Sequence, residues 1–434
     1  MILASLGTDG DILPYIGLGV TLRNRGHDVT LVAAEDYRER ARAAEFRFEP
    51  LASRQENHEL LADPDFWHVL KGPLVGAKWG RALLPRHWEL FRSLAREGDT
   101  VFVASPALLG ARLVQEKFGR PLATPILQPW MIASSTAPPV MPAGLTLPGW
   151  APGPAAALYW RGIDAMGQVL LGGALNKLRE SLGMPPVRRV FRWWLSPQLV
   201  LGMFPAWYGP PQPDWPPQVR LTGFPRFDGA EAAPSLDSDL LAICRAGKPT
   251  IAFTFGTGMI HGAGLFRAAV EACETLGVRG LLLTRHAAQL PSRLPPEVRH
   301  VTFAPFRALF PECAAVVHHG GVGTIAEAFA AGVPQAVVPI AFDQKDNAIR
   351  VKRLGAGDWV RAARATGPRV ARLLKELLTP GAKARCGATA ERFAGDDPLA
   401  TAADAVEELA ERGRDAALTE SRSPHSAPAS PTVP

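Results

Sequence analysis

The stretch AVVHHGGVGTIAEAFAAGVPQAVVPIAFDQKDN, Ala315 to Asn347, decides how this chain folds. Ala315 to Val317 read as a short apolar strand. His318, His319, Gly320, Gly321 and Gly323 form a turn too polar and too flexible to be core. Thr324 to Ala331 follow as a helix, which Gly332, Val333 and Pro334 stop. A second strand, Ala336 to Pro339, delivers Asp343 and Gln344 in a loop at its carboxyl end. In open α/β sheets that edge is where ligands bind. A helix amino terminus behind glycines offers free backbone N–H groups and a positive dipole end, which suits a phosphate. An imidazole at its mouth adds a directional donor. A carboxylate and an amide one strand later suit sugar hydroxyls. Phosphate and sugar together imply a nucleotide-sugar.

The same strand–turn–helix grammar extends in both directions. Ile2 to Leu6, the turn Gly7 to Asp11, the helix Ile12 to Arg25 and the strand Asp28 to Ala33 make a βαβ unit at the start. Val101 to Ala104, Ala107 to Lys117 and Leu122 to Leu127 continue the alternation. Residues 138–154 read as a Pro/Gly-dense loop, and proline-dense Pro205 to Pro217 approaches a domain boundary. A polar linker over residues 230–238 leads to a second alternation starting at Thr250. The expected architecture is α/β, with two Rossmann-like domains facing one another across a cleft. The N-terminal, acceptor-binding domain covers residues 1–217 and the C-terminal, nucleotide-sugar-binding domain residues 218–412. The Ser-, Pro- and Ala-rich tail, 413–434, is expected to be disordered.

Composition narrows the function classes. The chain has 434 residues, 47% hydrophobic and 20% charged, a globular balance with room for two cores. Net charge is +6, but Lys and Arg are scattered among acids, which argues against nucleic acid as a partner. Four cysteines lie far apart without zinc spacing and read as reduced thiols. A strand begins directly after Met1, so no signal peptide is expected. The most apolar stretch, Ala155 to Leu175, is interrupted by Arg161 and Asp164. The expectation is a cytoplasmic protein, with peripheral contact at the inner face of the membrane. Nearly all of the 11 tryptophans, Trp67, Trp79, Trp88, Trp130, Trp150, Trp160, Trp193 and Trp194 among them, sit in the first half, which points to core anchors or to an apolar pocket there.

Several residues carry two readings. Asp11, in LGTDGDILPY, is either a helix cap or a general base at the cleft floor. The His318–His319 pair either ends a strand or stabilises a departing diphosphate. Glu327, eight residues beyond His319, is either a solvated helix carboxylate or an acceptor for ribose hydroxyls. The FTFGTG turn offers Thr257 and backbone N–H groups to phosphate. Asp237-Ser238-Asp239 has the form of an acidic metal triplet but sits in a linker and reads as solvated. No G-x-G-x-x-G follows the first strand, which weakens a dinucleotide dehydrogenase.

Together, GTDGDILPY…RGHDV near the start and HHGGVGT…E…GVPQ…P…DQ…NA near the end resemble the family 1 glycosyltransferases, which are inverting, nucleotide-sugar-dependent and of the GT-B fold. The segment SPQLVLGMFPAWYGPPQPDWPP…TGFPRFDG, Ser196 to Gly229, is similar to the rhamnosyltransferase of rhamnolipid synthesis and its relatives. The resemblance spans nearly the whole sequence before the tail. It implies a last helix that crosses back to the first domain. It implies Asp11 as catalytic base, and His319, Gly321, Gly323 and Thr324 at the donor diphosphate, with His318 and Thr257 beside them. It further implies Glu327 on the ribose, Asp343 and Gln344 on the transferred sugar, and Phe303 stacked on the base. Phe306 departs from the Gln of plant enzymes, and the rhamnosyltransferase has Pro at the position of His319.

The implied activity is metal-independent, inverting transfer of a sugar from a dTDP- or UDP-linked donor to a hydroxyl of a hydrophobic acceptor of hydroxy-fatty-acid type. No further cofactor is implied. A small natural product or a sterol is the alternative acceptor. A nucleotide-sugar epimerase of the same shape, or a non-catalytic nucleotide-sugar-binding module, are the alternatives of other classes.

Overall fold

A computed structural model describes residues 1–95, 100–141, 145–229 and 235–422, with side chains described through residue 415. Seven strands form the first sheet: β1 (Ile2–Ala4), β2 (Thr30–Ala34), β3 (Arg47–Ala52), β4 (Phe102–Ala104), β5 (Leu122–Ile126), β6 (Leu199–Gly202) and β7 (Val219–Leu221). Their spatial order is β3-β2-β1-β4-β5-β6-β7. The second sheet holds β8 (Thr250–Thr254), β9 (Arg279–Leu283), β10 (Val298–Val301), β11 (Ala315–His318), β12 (Gln335–Val337) and β13 (Gly357–Trp359), in the order β10-β9-β8-β11-β12-β13. Every neighbouring pair is parallel. Helices therefore cover both faces, and β1, β2, β4, β5, β6 and β8 are buried at every position. This is the two-sheet GT-B architecture that the sequence motifs imply.

Each sheet has one point where the chain reverses its direction of growth. In the first it lies between β1 and β4, and in the second between β8 and β11. At such points the loops diverge and leave a crevice at the carboxyl ends of the strands. The turn after β1 opens the helix whose third residue is Asp11; the turns after β8 and β11 carry Thr257 and His319. The residues singled out by chemistry thus occupy the positions that topology reserves for ligands.

Some boundaries differ from the sequence reading. The first helix, Asp9–Asn24, starts before Ile12 and takes in both acids of the turn. β7 pairs with β6, so the first sheet extends past residue 217. Asp237 caps the helix Ser238–Arg245, accepting from the Asp239 and Leu240 amides, so the acidic triplet is a helix start rather than plain linker. Residues 230–234 of that linker and 142–144 of the Pro/Gly loop lie outside the described residues.

The last helix runs Pro398–Arg422 and takes in the first ten residues of the expected tail; 423–434 lie outside the described residues. It crosses back to the first domain. Ala402, Ala403, Val406 and Leu409 join the core built on Leu3, Ile12 and Leu31. Arg25 donates to Asp404 and Glu407 at 2.6 and 2.7 Å, and Arg220 to Glu408 at 2.5 Å. These ion pairs are half-exposed and contribute little each; the buried apolar stripe holds the helix. Cys244, Cys273, Cys313 and Cys386 are buried, unpaired thiols. No helix among the described residues is long and apolar enough to cross a membrane.

Candidate active site across the cleft

The site starts from two turns. After β1 the chain passes through Gly7, at φ 122°, and Thr8 to open the first helix. Thr8, not Asp11, is the N-cap. Asp11 is the third helical residue, and its Oδ2 accepts from the Thr8 N–H at 2.9 Å and the Thr8 hydroxyl at 3.3 Å. A Cβ on residue 7 would collide with Asp11 Oδ2, so only glycine leaves room for the carboxylate. Burial pushes the Asp11 carboxyl up, with the Thr8 bonds opposing. Asp9 sits apart, bonded to Arg40 at 2.9 Å and Tyr37 at 3.1 Å. Asp9 thus takes the charge pairing of this turn, Asp11 closes the capping box with Thr8 through Oδ2, and the other Asp11 oxygen takes no hydrogen bond from the protein among the described residues.

The facing turn follows β11. His318 ends the strand wholly buried; its Nδ1 accepts from the Gly320 amide at 3.1 Å and its Nε2 meets Gln335 Oε1 at 3.0 Å. Burial drives it down to about 3, so it is neutral and both ring nitrogens are committed. His318 therefore locks the turn rather than meeting a donor, a correction to the sequence reading. The cause is strand alternation, which sends consecutive side chains to opposite sides.

His319 takes the other side, between two glycines. A Cβ on Gly321 would lie 2.5 Å from its Nε2, and one on Gly256, at φ +99°, 3.2 Å. The glycines of the FGTG turn and of the HHGG turn thus make the slot for one imidazole. Burial lowers His319 to about 4, the Thr254 backbone opposing. It is a neutral ring at physiological pH, able to donate one N–H. Gly321 caps the helix Val322–Ala330; Gly323 faces open space and Thr324 is buried one residue on. Thr257 is exposed, and its neighbour Gly258 meets Thr8 and Trp67 of the first domain, which closes the cleft at this level.

Asp343 and Gln344 are not in a loop. Asp343 is the N-cap of the helix Gln344–Arg353 and Gln344 its first residue. The preceding Phe342 adopts φ 54°, a region few non-glycine residues take, and packs against Phe66 and Trp67 of the first domain at 5.2 and 6.2 Å between ring centres. Gln344 Oε1 accepts from the Ile340 and Ala341 amides at 2.8 and 2.9 Å, leaving its NH2 to offer. Asn347 donates to Asp343 Oδ2 at 2.5 Å and to the Gly320 carbonyl at 3.0 Å, while its own oxygen accepts from the Tyr208 hydroxyl at 2.8 Å. Burial raises Asp343 to about 7, Asn347 opposing and the charge of Asp11 adding to the rise.

Glu327 is neither solvated nor free: Arg226 grips it from the segment joining the domains, at 2.9 and 3.2 Å. Phe306 stacks on Phe310 at 4.5 Å and packs, partly buried, against the core. Phe303 is 60% exposed, with the Arg285 guanidinium 5.9 Å from its ring centre; Arg285 also reaches Asp9 at 3.3 Å across the cleft. Among the described residues no group of three or more His, Cys, Asp or Glu side chains could hold a metal ion. Sequence reading missed Tyr208, Arg226, Arg285 and Asn347; of these only the NA following DQ carried a signal.

Comparison with known proteins agrees with the fold. Residues 1–136 match the glycosyltransferase family 28 N-terminal domain and residues 281–409 the erythromycin biosynthesis protein CIII-like C-terminal domain. The O-mycaminosyltylonolide 6-deoxyallosyltransferase of Streptomyces fradiae is 30% identical over 94% of this chain and 97% of its own length. The sterol 3-beta-glucosyltransferase of Candida albicans is 26% identical over 82% of the chain, which spans 24% of that longer enzyme. Among solved structures, the glycotransferase of kitacinnamycin superposes with a TM-score of 0.69 at 21% identity, covering 94% of this chain and 98% of that one.

Proposed function

The chain belongs to the GT-B glycosyltransferases of family 1, nucleotide-sugar-dependent enzymes, and from that premise we propose an inverting, metal-independent single displacement with Asp11 as general base. The donor is a dTDP- or UDP-linked sugar. Asp11 takes the proton of the acceptor hydroxyl as its oxygen forms a bond to the anomeric carbon. The bond from that carbon to the diphosphate oxygen breaks on the opposite side. The leaving diphosphate moves toward the His319 N–H and the helix terminus at Gly321–Gly323, which stabilise developing negative charge without reorganising. Asp343 and the Gln344 NH2 hold the sugar's hydroxyls and fix its approach. The observation that carries this reading is the placing of Asp11 and His319 at the switch points of two facing sheets.

The acceptor in this reading is hydrophobic and hydroxyl-bearing. Trp130 Nε1, Tyr159 OH and Trp160 Nε1 are buried with no hydrogen-bond partner among the described residues, donors that a largely apolar molecule with a few oxygens would satisfy. Leu145, Trp150, Leu158 and Val169 leave exposed apolar surface in the same region. That surface supports peripheral membrane contact and an acceptor of hydroxy-fatty-acid type. The relatives' substrates, O-mycaminosyltylonolide and sterols, support a natural product or sterol instead.

The test is a donor panel, dTDP- and UDP-linked, with hydroxy-fatty-acid, sterol and natural-product acceptors in the presence of EDTA. Transfer that persists with chelator, and a product whose anomeric configuration is opposite to the donor's by NMR, supports the reading. Activity abolished by EDTA and restored by a divalent cation, or retention of configuration, contradicts it.

A further inference from the structure

Residues 223–229, GFPRFDG, form a strap between the two domains, and its residues face different ways. Phe227 packs on the first helix, where a Cβ at Gly17 would lie 2.8 Å from the Phe227 Cβ. A Cβ at Gly229, at φ +93°, would lie 3.9 Å from the side chain of Leu13, two residues beyond Asp11. Arg226 turns the other way and reaches Glu327 on the glycine-capped helix, its guanidinium 5.5 Å from the Phe393 ring centre. The strap therefore lies between the helix that bears Asp11 and the helix that bears Glu327. Asp228, flanked by Phe227 and Gly229, has both carboxylate oxygens buried, and neither has a hydrogen-bond partner among the described residues.

An unpartnered buried carboxylate is costly, because it accepts hydrogen bonds only and has been removed from water. Its missing partner must supply hydrogen. No acidic or histidine cluster is placed to make a cation site there among the described residues. Glu327, the carboxylate to which family resemblance gives the nucleoside's hydroxyls, is already neutralised by the two-pronged Arg226 contact. We propose that the strap is a third wall of the donor site, with Asp228 accepting a hydroxyl of the nucleoside sugar and Arg226–Glu327 serving as the pair that sets the strap against the helix. The proposal rests on the glycosyl-transfer reading of the cleft.

Calorimetry on the full chain tests it with three ligands: UDP, dTDP and inorganic pyrophosphate. In Asp228→Ala and Asp228→Asn, both nucleoside diphosphates bind at least tenfold more weakly while pyrophosphate binding is kept or tightened. Removing an unsatisfied buried charge leaves the Tm of Asp228→Asn equal to or above that of the wild type. Glu327→Gln, which leaves Arg226 without its charged partner, lowers Tm yet weakens nucleoside diphosphates less than threefold. Wild-type affinity for UDP and dTDP in the Asp228 variants, an equal loss of pyrophosphate, or a lowered Tm in Asp228→Asn overturns the proposal alone. A wild-type chain that binds neither nucleoside diphosphate overturns the donor-cleft reading and this inference together.

Discussion

The Asp11 carboxyl of one domain and the Asp343 carboxyl of the other are electrostatically linked, the charge on Asp11 adding to the burial that raises the proton affinity of Asp343. One belongs to the first helix of the N-terminal domain, the other caps a helix of the C-terminal domain. Two partly buried carboxylates whose charges interact disfavour being ionised together. In the proposed reaction a sugar placed between them would separate the charges and supply hydroxyls to Asp343, leaving Asp11 to accept a proton from the other substrate.

Asp343→Asn reads out this coupling. Folded Asp343 holds its proton up to about pH 7, whereas a carboxyl with the ordinary value of 3.8 loses it far earlier in the unfolded chain. Its contribution is therefore fully present below about pH 4 and lost as pH rises toward 7. His318 and His319 act oppositely, their folded values of about 3 and about 4 favouring unfolding as pH falls below 6.5. The Asn variant removes only the first effect. Its Tm relative to wild type rises between pH 4 and 7 and is level above.

Gly321→Ala fills the imidazole slot. The added methyl would sit 2.5 Å from His319 Nε2, so the ring must leave its place between the glycines. Donor KM rises by about tenfold or more with a smaller change in Tm, a loss of roughly 1.4 kcal/mol or more of donor interaction. Steady-state kinetics with thermal melts separate the two effects.

Tyr208→Phe removes a single hydroxyl from the hub that fixes Asp343. Asn347 Oδ1 then lies buried without its donor, at a cost of roughly 1–3 kcal/mol. The Tm falls accordingly, and donor KM increases because Asn347 no longer holds both Asp343 and the Gly320 carbonyl. Asn347→Ala shows the same pattern with a larger amplitude.

Much of the arrangement is legible in the sequence, for reasons that are local. Gly256, Gly320 and Gly321 announce tight turns after apolar strands, and the parallel α/β rhythm fixes which ends of those strands bear them. β3 escapes such reading because Arg47, Glu49 and Pro50 interrupt its pattern; as an edge strand it tolerates them. His318 and His319 look alike as letters and are told apart only by strand alternation. The ties between Arg226 and Glu327, Tyr208 and Asn347, and Asp9 and Arg285 join residues that no periodicity relates. They exist because the two domains dock with one particular face, which is a property of packing between lobes rather than of any segment.

The most direct measurement is single-turnover transfer by Asp11→Asn with donor and acceptor both saturating, alongside the affinity of each variant for the nucleoside diphosphate. The account predicts a rate lower by about 10²- to 10⁴-fold, the usual scale for losing a general base, with donor affinity unchanged. Transfer at the wild-type rate in Asp11→Asn would contradict it.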